Sequence, residues 1–151
     1  MDSYLLRSDH WLAVLRIGIG LWWLESWRHK DKRGWLERGT GIDWAASVAE
    51  KHPWGLVRST FGRLVLPRKR AMAHLVVYGE LAIGLGLTLG LLTPLAAFAG
   101  LVLNVLYLTL MIRDWAEQGQ NSMMALIEVV VLGTAAWQAW SLDAALGLFS
   151  R

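Results

Sequence analysis

The sequence predicts an all-α integral membrane protein, a single-domain four-helix bundle with an amphipathic interfacial helix in its first loop. The segment 71–112 contains one carboxylate, Glu80, and is apolar on all sides, unlike the helices of a soluble bundle. Thr93-Pro94 divides this segment into two runs of about 20 residues, the length that a helix needs to cross a bilayer. Residues 28–70, by contrast, carry 11 Lys and Arg against four acids.

Four membrane spans are predicted, at about 11–27, 71–91, 94–113 and 122–140. The first contains Arg16 and ends in tryptophans, which favour membrane edges. The second and third form a tight helical hairpin, because Pro94 cannot continue one helix but is tolerated in the first turn of the next. The fourth contains Glu128 as its single charge, and Asn121 or Ser122 is expected to cap it.

The basic loop 28–70 is expected to hold two short helices. Residues 40–51 form the first, and Pro53 occupies the first position of the second. Apolar residues recur there at helical spacing, which predicts an amphipathic helix lying in the membrane interface until Pro67 ends it: Trp54, Val57, Phe61, Leu64 and Val65.

The charge distribution predicts the topology. Positive loops stay in the cytoplasm, so we expect a multi-pass plasma-membrane protein with the basic loop cytoplasmic and both termini outside. The basic pI has no nucleic-acid-binding motif beside it, so the expected partner is the lipid bilayer and not nucleic acid. The chain has no cysteine and its four histidines lack metal-ligand spacing, so no metal site is predicted.

One strongly polar residue falls within each predicted span: Arg16, Glu80, Asn104 and Glu128. Counted from the basic side at about 1.5 Å per residue, they fall within a band of about 8 Å. Arg16 is therefore expected to pair with Glu80, Glu128 or both. The pairing could serve assembly alone, or the same layer could line a pocket that handles protons or an anionic or quinone-like ligand.

Arg16, Glu80 and Glu128 are thus the candidate catalytic residues, and Asn104 is a candidate ligand-binding residue. His74 lies nearer the basic side, where it could belong to a proton path or simply be solvated. Trp23 shares a helical stripe with Arg16 and could help to wall a ring-binding cleft.

Several motifs carry a family resemblance. Arg16-Ile17-Gly18, Trp27, Lys30 and the run from Gly79-Glu80 to Thr93-Pro94 resemble the DoxX family of small four-span membrane proteins, and are similar to the DoxD-type subunit of thiosulfate:quinone oxidoreductase. The matching positions are Arg16, Lys30, Glu80 and Gly84, which adds Lys30 to the ligand-binding candidates. The resemblance implies thiosulfate oxidation with electrons passed to a membrane quinone, and other membrane or redox subunits as partners.

Two main function hypotheses follow. In the first, the chain is a membrane subunit of a quinone-linked oxidoreductase in which Glu80 and Glu128 handle protons and Arg16 stabilises anionic charge. The sequence has no haem, flavin or iron–sulfur motif, so electrons would come from the substrate or from a partner. The alternative is a non-catalytic accessory subunit of a larger respiratory or photosynthetic complex. A small transporter is a weaker third reading, because four spans without a repeat offer little for alternating access.

Overall fold

The structure is a computed structural model that describes residues 7–149. Every regular element in this range is helical, which confirms the all-α prediction. The α-helices are α1 (Ser8–His29), α2 (Thr40–Glu50), α3 (Gly55–Thr60), α4 (Lys69–Leu89), α5 (Thr93–Leu110), α6 (Trp115–Gly133) and α7 (Leu142–Ala145). Short π-helical turns at Gly34–Arg38 and Phe61–Val65, and a 3-10 turn at Leu66–Arg68, complete the regular structure.

The four long helices form an antiparallel bundle. Helix α1 packs mainly on α4 and α5 mainly on α6, while α4–α5 and α1–α6 contacts close the ring. The bundle has a basic end, formed by residues 28–68 and 111–114, and a hairpin end, formed by residues 90–92 and 134–149. Its apolar core is built around Ile19, Trp23, Ile83, Leu87 and Val131.

Glycines bring α1 and α4 close together. A Cβ atom on Gly20 would meet the backbone of Thr88, and one on Gly84 would meet Leu24. The two backbones therefore approach where these side chains are missing, a contact typical of membrane helices.

The predicted hairpin between α4 and α5 is confirmed. Gly90 ends α4 in the left-handed conformation (φ 65°), and Pro94 lies in the first turn of α5. The carboxyl group of Asp143, from the far end of the chain, accepts the backbone N–H groups of Leu92 and Thr93 at 2.7 and 2.8 Å. This contact ties α7 to the hairpin.

The first loop differs from its prediction at both prolines. Helix α2 lies where it was expected, but α3 begins at Gly55, so Pro53 precedes the helix. Pro67 does not end the helix either, because one helical stretch runs from Gly55 to Leu89. Pro67 has no backbone N–H to donate, and the helix accommodates this missing hydrogen bond through the π-helical and 3-10 turns around Pro67.

The predicted bounds of the fourth span, 122–140, are wrong. Helix α6 begins at Trp115, because the side chain of Asp114 accepts the N–H groups of Ala116 and Glu117 and caps the helix there. Asn121 and Ser122 lie inside the helix, and the chain turns after Gly133. Residues 134–140 form turns in which Ala135 and Trp140 have positive φ.

Two helical stretches of residues 7–149 are long and apolar enough to cross a membrane, Gly55–Leu89 and Thr93–Leu110. These overlap the predicted second and third spans, 71–91 and 94–113, but the helices end at Leu89 and Leu110. Neither α1 nor α6 meets the same criterion of length and composition, so the four-span arrangement stays a prediction.

Candidate functional site

Three long polar or aromatic side chains follow one another at heptad spacing, Arg16 and Trp23 on α1 and Lys30 at the C-cap of α1. Seven residues make almost two helical turns, so the three side chains point the same way about 10 Å apart. Each of them contacts a different polar group inside the bundle. We name these groups the Arg16 cluster, the Glu128 cluster and the Glu80 cluster.

The Glu128 cluster lies between the other two. Trp23 donates its indole N–H to Glu128 Oε1 at 2.9 Å, and Asn104 donates its amide N–H to Glu128 Oε2 at 2.8 Å. All three side chains are buried. Within residues 7–149, no Lys, Arg or His nitrogen lies within 4.0 Å of this carboxyl group. Uncharged donors therefore hold Glu128.

Gly100 of α5 provides the space for this carboxyl group. A Cβ atom at position 100 would collide with Glu128 Oε1. Gly100 and Asn104 are four residues apart on α5, and both face Glu128. The absence of a side chain at position 100 therefore allows the Glu128 carboxyl group to lie between α5 and α1.

The Glu80 cluster lies nearer the basic end. Lys30 Nζ is 2.6 Å from Glu80 Oε2, and the Tyr107 hydroxyl donates to Glu80 Oε1 at 2.8 Å. Glu80 is 1% exposed and Lys30 16% exposed, so the pair is largely shielded from solvent. The Lys30 ammonium also donates to Ser26 Oγ at 3.3 Å. Unlike Glu128, Glu80 has a cation as its partner.

The Arg16 cluster lies at the hairpin end. Arg16 is fully buried and donates from Nη2 to the backbone carbonyl of Trp140 at 2.7 Å. Its Nη1 packs against Gly90, where a Cβ atom would collide with it. Asp143 is also fully buried, and its backbone N–H donates to the carbonyl of the same Gly90.

The structure confirms that Arg16, Glu80, Asn104 and Glu128 are all buried, but it does not place them in one layer. The predicted pairing of Arg16 with Glu80 or Glu128 is wrong. Lys30 reaches Glu80 from the basic end, and Arg16 points to the opposite end, about 20 Å along α1. Depth counted in residues misled the prediction, because it ignored that the side chains of a helix lean toward its N-terminus, which for α1 is the hairpin end.

The remaining predicted ligand residue, His74, is exposed on α4. Its Nδ1 lies 2.7 Å from the carbonyl of Arg70, so it is separate from the buried clusters. Sequence reasoning missed Tyr107 and Asp143. Tyr107 lies three residues after Asn104, a spacing that places both on one side of α5. Asp143 had no comparable signal, because its contacts are with a distant turn.

Two apolar grooves flank α1 on the outside of the bundle. One, of about 320 Å³, lies between α1 and α6 and is lined by residues that include Trp22, Met123 and Ile127. The other, of about 540 Å³, lies nearer the basic end beside Trp22, Trp27 and Arg28. Trp22 and Ile127 are the chain neighbours of Trp23 and Glu128, but the three side chains of the Glu128 cluster do not themselves line this groove.

Among the described residues, no group of three or more His, Cys, Asp or Glu side chains is arranged to hold a metal ion. Comparisons with family models, with curated proteins and with solved structures found no match.

Proposed function

We propose that α1, α4, α5 and α6 all cross a lipid bilayer. Each of the four helices carries large apolar side chains on its outer surface, which supports this reading because soluble monomers seldom expose extended apolar patches. These exposed side chains include Trp11, Leu21, Leu75, Leu85, Phe98, Val105, Leu106, Met123, Leu126 and Val129. Helices α1 and α6 are less apolar in composition partly because they contain Arg16 and Glu128, and both of these side chains are buried inside the bundle.

The basic end would then lie in the cytoplasm of a plasma-membrane protein, by the excess of Lys and Arg in residues 28–70. The hairpin end would face outside. The outward-facing Trp54, Leu56 and Leu64, with Arg58 and Arg63 among them, suit a segment that lies at the lipid headgroups.

Within the bilayer, the chain is proposed to be a subunit of a quinone-linked oxidoreductase, as its resemblance to DoxD-type proteins implies. The observation that carries this proposal is the Glu128 cluster. A quinone takes up two protons with two electrons, so its site needs a group that can give and take protons. Glu128 is the better candidate of the two buried glutamates, because Glu80 already has its charge compensated by Lys30.

The groove between α1 and α6 offers an apolar surface suited to an isoprenoid quinone, and it is lined by Trp22 and Ile127, the chain neighbours of Trp23 and Glu128. The chain has no cysteine, so the electrons would come directly from the substrate or from a partner subunit.

Glu128→Gln tests this role with little structural change. The glutamine oxygen can still accept the Trp23 N–H, and its amide can donate to Asn104 Oδ1, which has no partner in the present arrangement, once the Asn104 amide rotates. We expect the variant to assemble normally and to lose at least about tenfold in the rate of decylubiquinone reduction with thiosulfate as donor.

Glu117→Gln is the matched control, because it changes a carboxylate on the same helix outside the buried clusters, and its rate should stay within about twofold of the parent. A Glu128→Gln rate equal to the control's, or no reduction by the parent protein in its native assembly, would reject the oxidoreductase proposal.

A non-catalytic accessory subunit is the second candidate. The observation favouring it is the position of both grooves on the outer surface of α1, where a helix of a larger complex could pack against Trp22. Trp22→Ala would then release the chain from a stoichiometric complex on gentle detergent purification, whereas a subunit bound elsewhere would copurify unchanged.

A further inference from the structure

Buried polar atoms without a hydrogen-bond partner gather at the hairpin end of the bundle. Arg16 supplies two of them, Nε and Nη1, and Trp137 a third, Nε1. The hydroxyl oxygens of Thr88 and Thr93 are two more. Leaving such groups unpaired inside a protein is costly, so their concentration in one region requires an explanation.

Several contacts bring these groups together. Arg16 packs on Gly90, which follows Thr88 by two residues, and Gly20, one turn after Arg16 on α1, approaches Thr88 directly. Thr93 donates its backbone N–H to Asp143, which is itself bonded to Gly90. The unpaired groups of Arg16, Thr88 and Thr93 therefore lie around the same α4–α5 turn.

The charge of Arg16 is incompletely compensated. Within residues 7–149, no carboxylate oxygen lies within 4.0 Å of its guanidinium group. Asp143 is the acid that shares its surroundings, but both Asp143 oxygens accept backbone N–H groups from the start of α5. At least three Arg16 N–H bonds, one on Nε and two on Nη1, have no acceptor.

The unpaired groups favour an anion. Arginine and tryptophan nitrogens can only donate, and the two threonine hydroxyls can donate as well. The Asp143 carboxyl group already caps the α5 N-terminus, so the donors left for an anion are these side-chain groups. A buried cation with unused donors is stabilised by an anion and would be destabilised by a second cation.

We propose that the hairpin end binds a small inorganic oxyanion of the sulfate type, with Arg16 as its principal contact and Thr88 and Thr93 as hydroxyl donors. Residues 134–141 cover the site, since the Trp140 carbonyl is bonded to Arg16. Arg16 lies about 10 Å along α1 from Trp23, so this site is separate from the Glu128 cluster and does not depend on the quinone proposal.

Binding is measured on the purified protein in detergent, as the rise in thermal unfolding temperature when sodium sulfate is added. Sodium chloride at equal ionic strength is the reference. We expect saturable stabilisation by sulfate, and a loss of at least about tenfold in apparent affinity for Arg16→Gln, the loss of one charged hydrogen-bonding contact. Arg33→Gln removes the same charge at the exposed basic end and should leave the affinity within about twofold.

Thr93→Val is the second variant, used because Arg16→Gln could fail to fold. It preserves every charge and the backbone bond to Asp143, and we expect it to weaken sulfate binding by about fivefold. Equal rises in the unfolding temperature of the parent protein with sulfate and with chloride would overturn the proposal, because the unpaired donors would then bind water and no anion. The proposal would also be overturned if Thr93→Val bound sulfate with unchanged affinity while Arg16→Gln either did the same or failed to fold.

Discussion

Replacing Gly100 with alanine tests whether the Glu128 carboxyl group is fixed by the space that Gly100 leaves. The new methyl group would collide with Glu128 Oε1, so the carboxyl group must move away from the Trp23 N–H that it accepts. Losing a buried hydrogen bond of this type costs about 1.5–3 kcal/mol, and forcing an extra carbon into a packed interior costs about 1–3 kcal/mol. Alanine returns about 0.5–1 kcal/mol by its better helix propensity.

We therefore expect Gly100→Ala to lower the free energy of unfolding by about 2–5 kcal/mol. Gly79→Ala is the matched control on α4, since no atom lies within 4 Å of a Cβ atom placed there. It should be neutral or stabilising by up to about 1 kcal/mol. Reversible unfolding in mixed detergent micelles, followed by tryptophan fluorescence, gives both values. Equal stability of the two variants would refute the placement of Glu128 against Gly100.

Two further predictions concern the ends of the bundle. Lys30→Met should cost about 3–5 kcal/mol, because it leaves the buried Glu80 carboxylate without its cation, and adding Glu80→Gln should restore much of this loss. Additive effects of the two substitutions in the same unfolding assay would contradict the 2.6 Å pair. Asp143→Ala should cost about 1–2 kcal/mol, since it removes the acceptor for two backbone N–H groups at the start of α5. Hydrogen exchange of the Thr93 amide should accelerate in that variant, and an unchanged exchange rate would argue against the cap.

The sequence predicted the helical class, the α4–α5 hairpin and the burial of four polar residues, because long apolar runs and Pro94 are local signals. It did not predict the partners of those residues. Pairing depends on the height of each side chain along α1, and the heptad spacing of Arg16, Trp23 and Lys30, which places them at three different heights on one side, was the signal that could have separated them.

The errors at Pro67 and in the fourth span have a different origin. Hydropathy continues past Gly133 into residues 134–140, although the backbone there turns through positive φ. The Asp114 cap starts α6 within a stretch whose polar composition resembles a loop. The composition of a segment indicates whether it prefers water or an apolar environment. Helix ends and turns depend instead on single capping side chains and on backbone geometry.

Thiol labelling of single-cysteine variants tests the central claim most directly, since the native chain has no cysteine and needs no background substitution. Lys51→Cys marks the basic end and Gln138→Cys marks the hairpin end, and both positions are exposed. With a membrane-impermeant maleimide on intact spheroplasts, we predict that position 138 is labelled at once and position 51 only after lysis. Equal labelling of both positions before lysis would contradict a bundle whose helices cross the membrane.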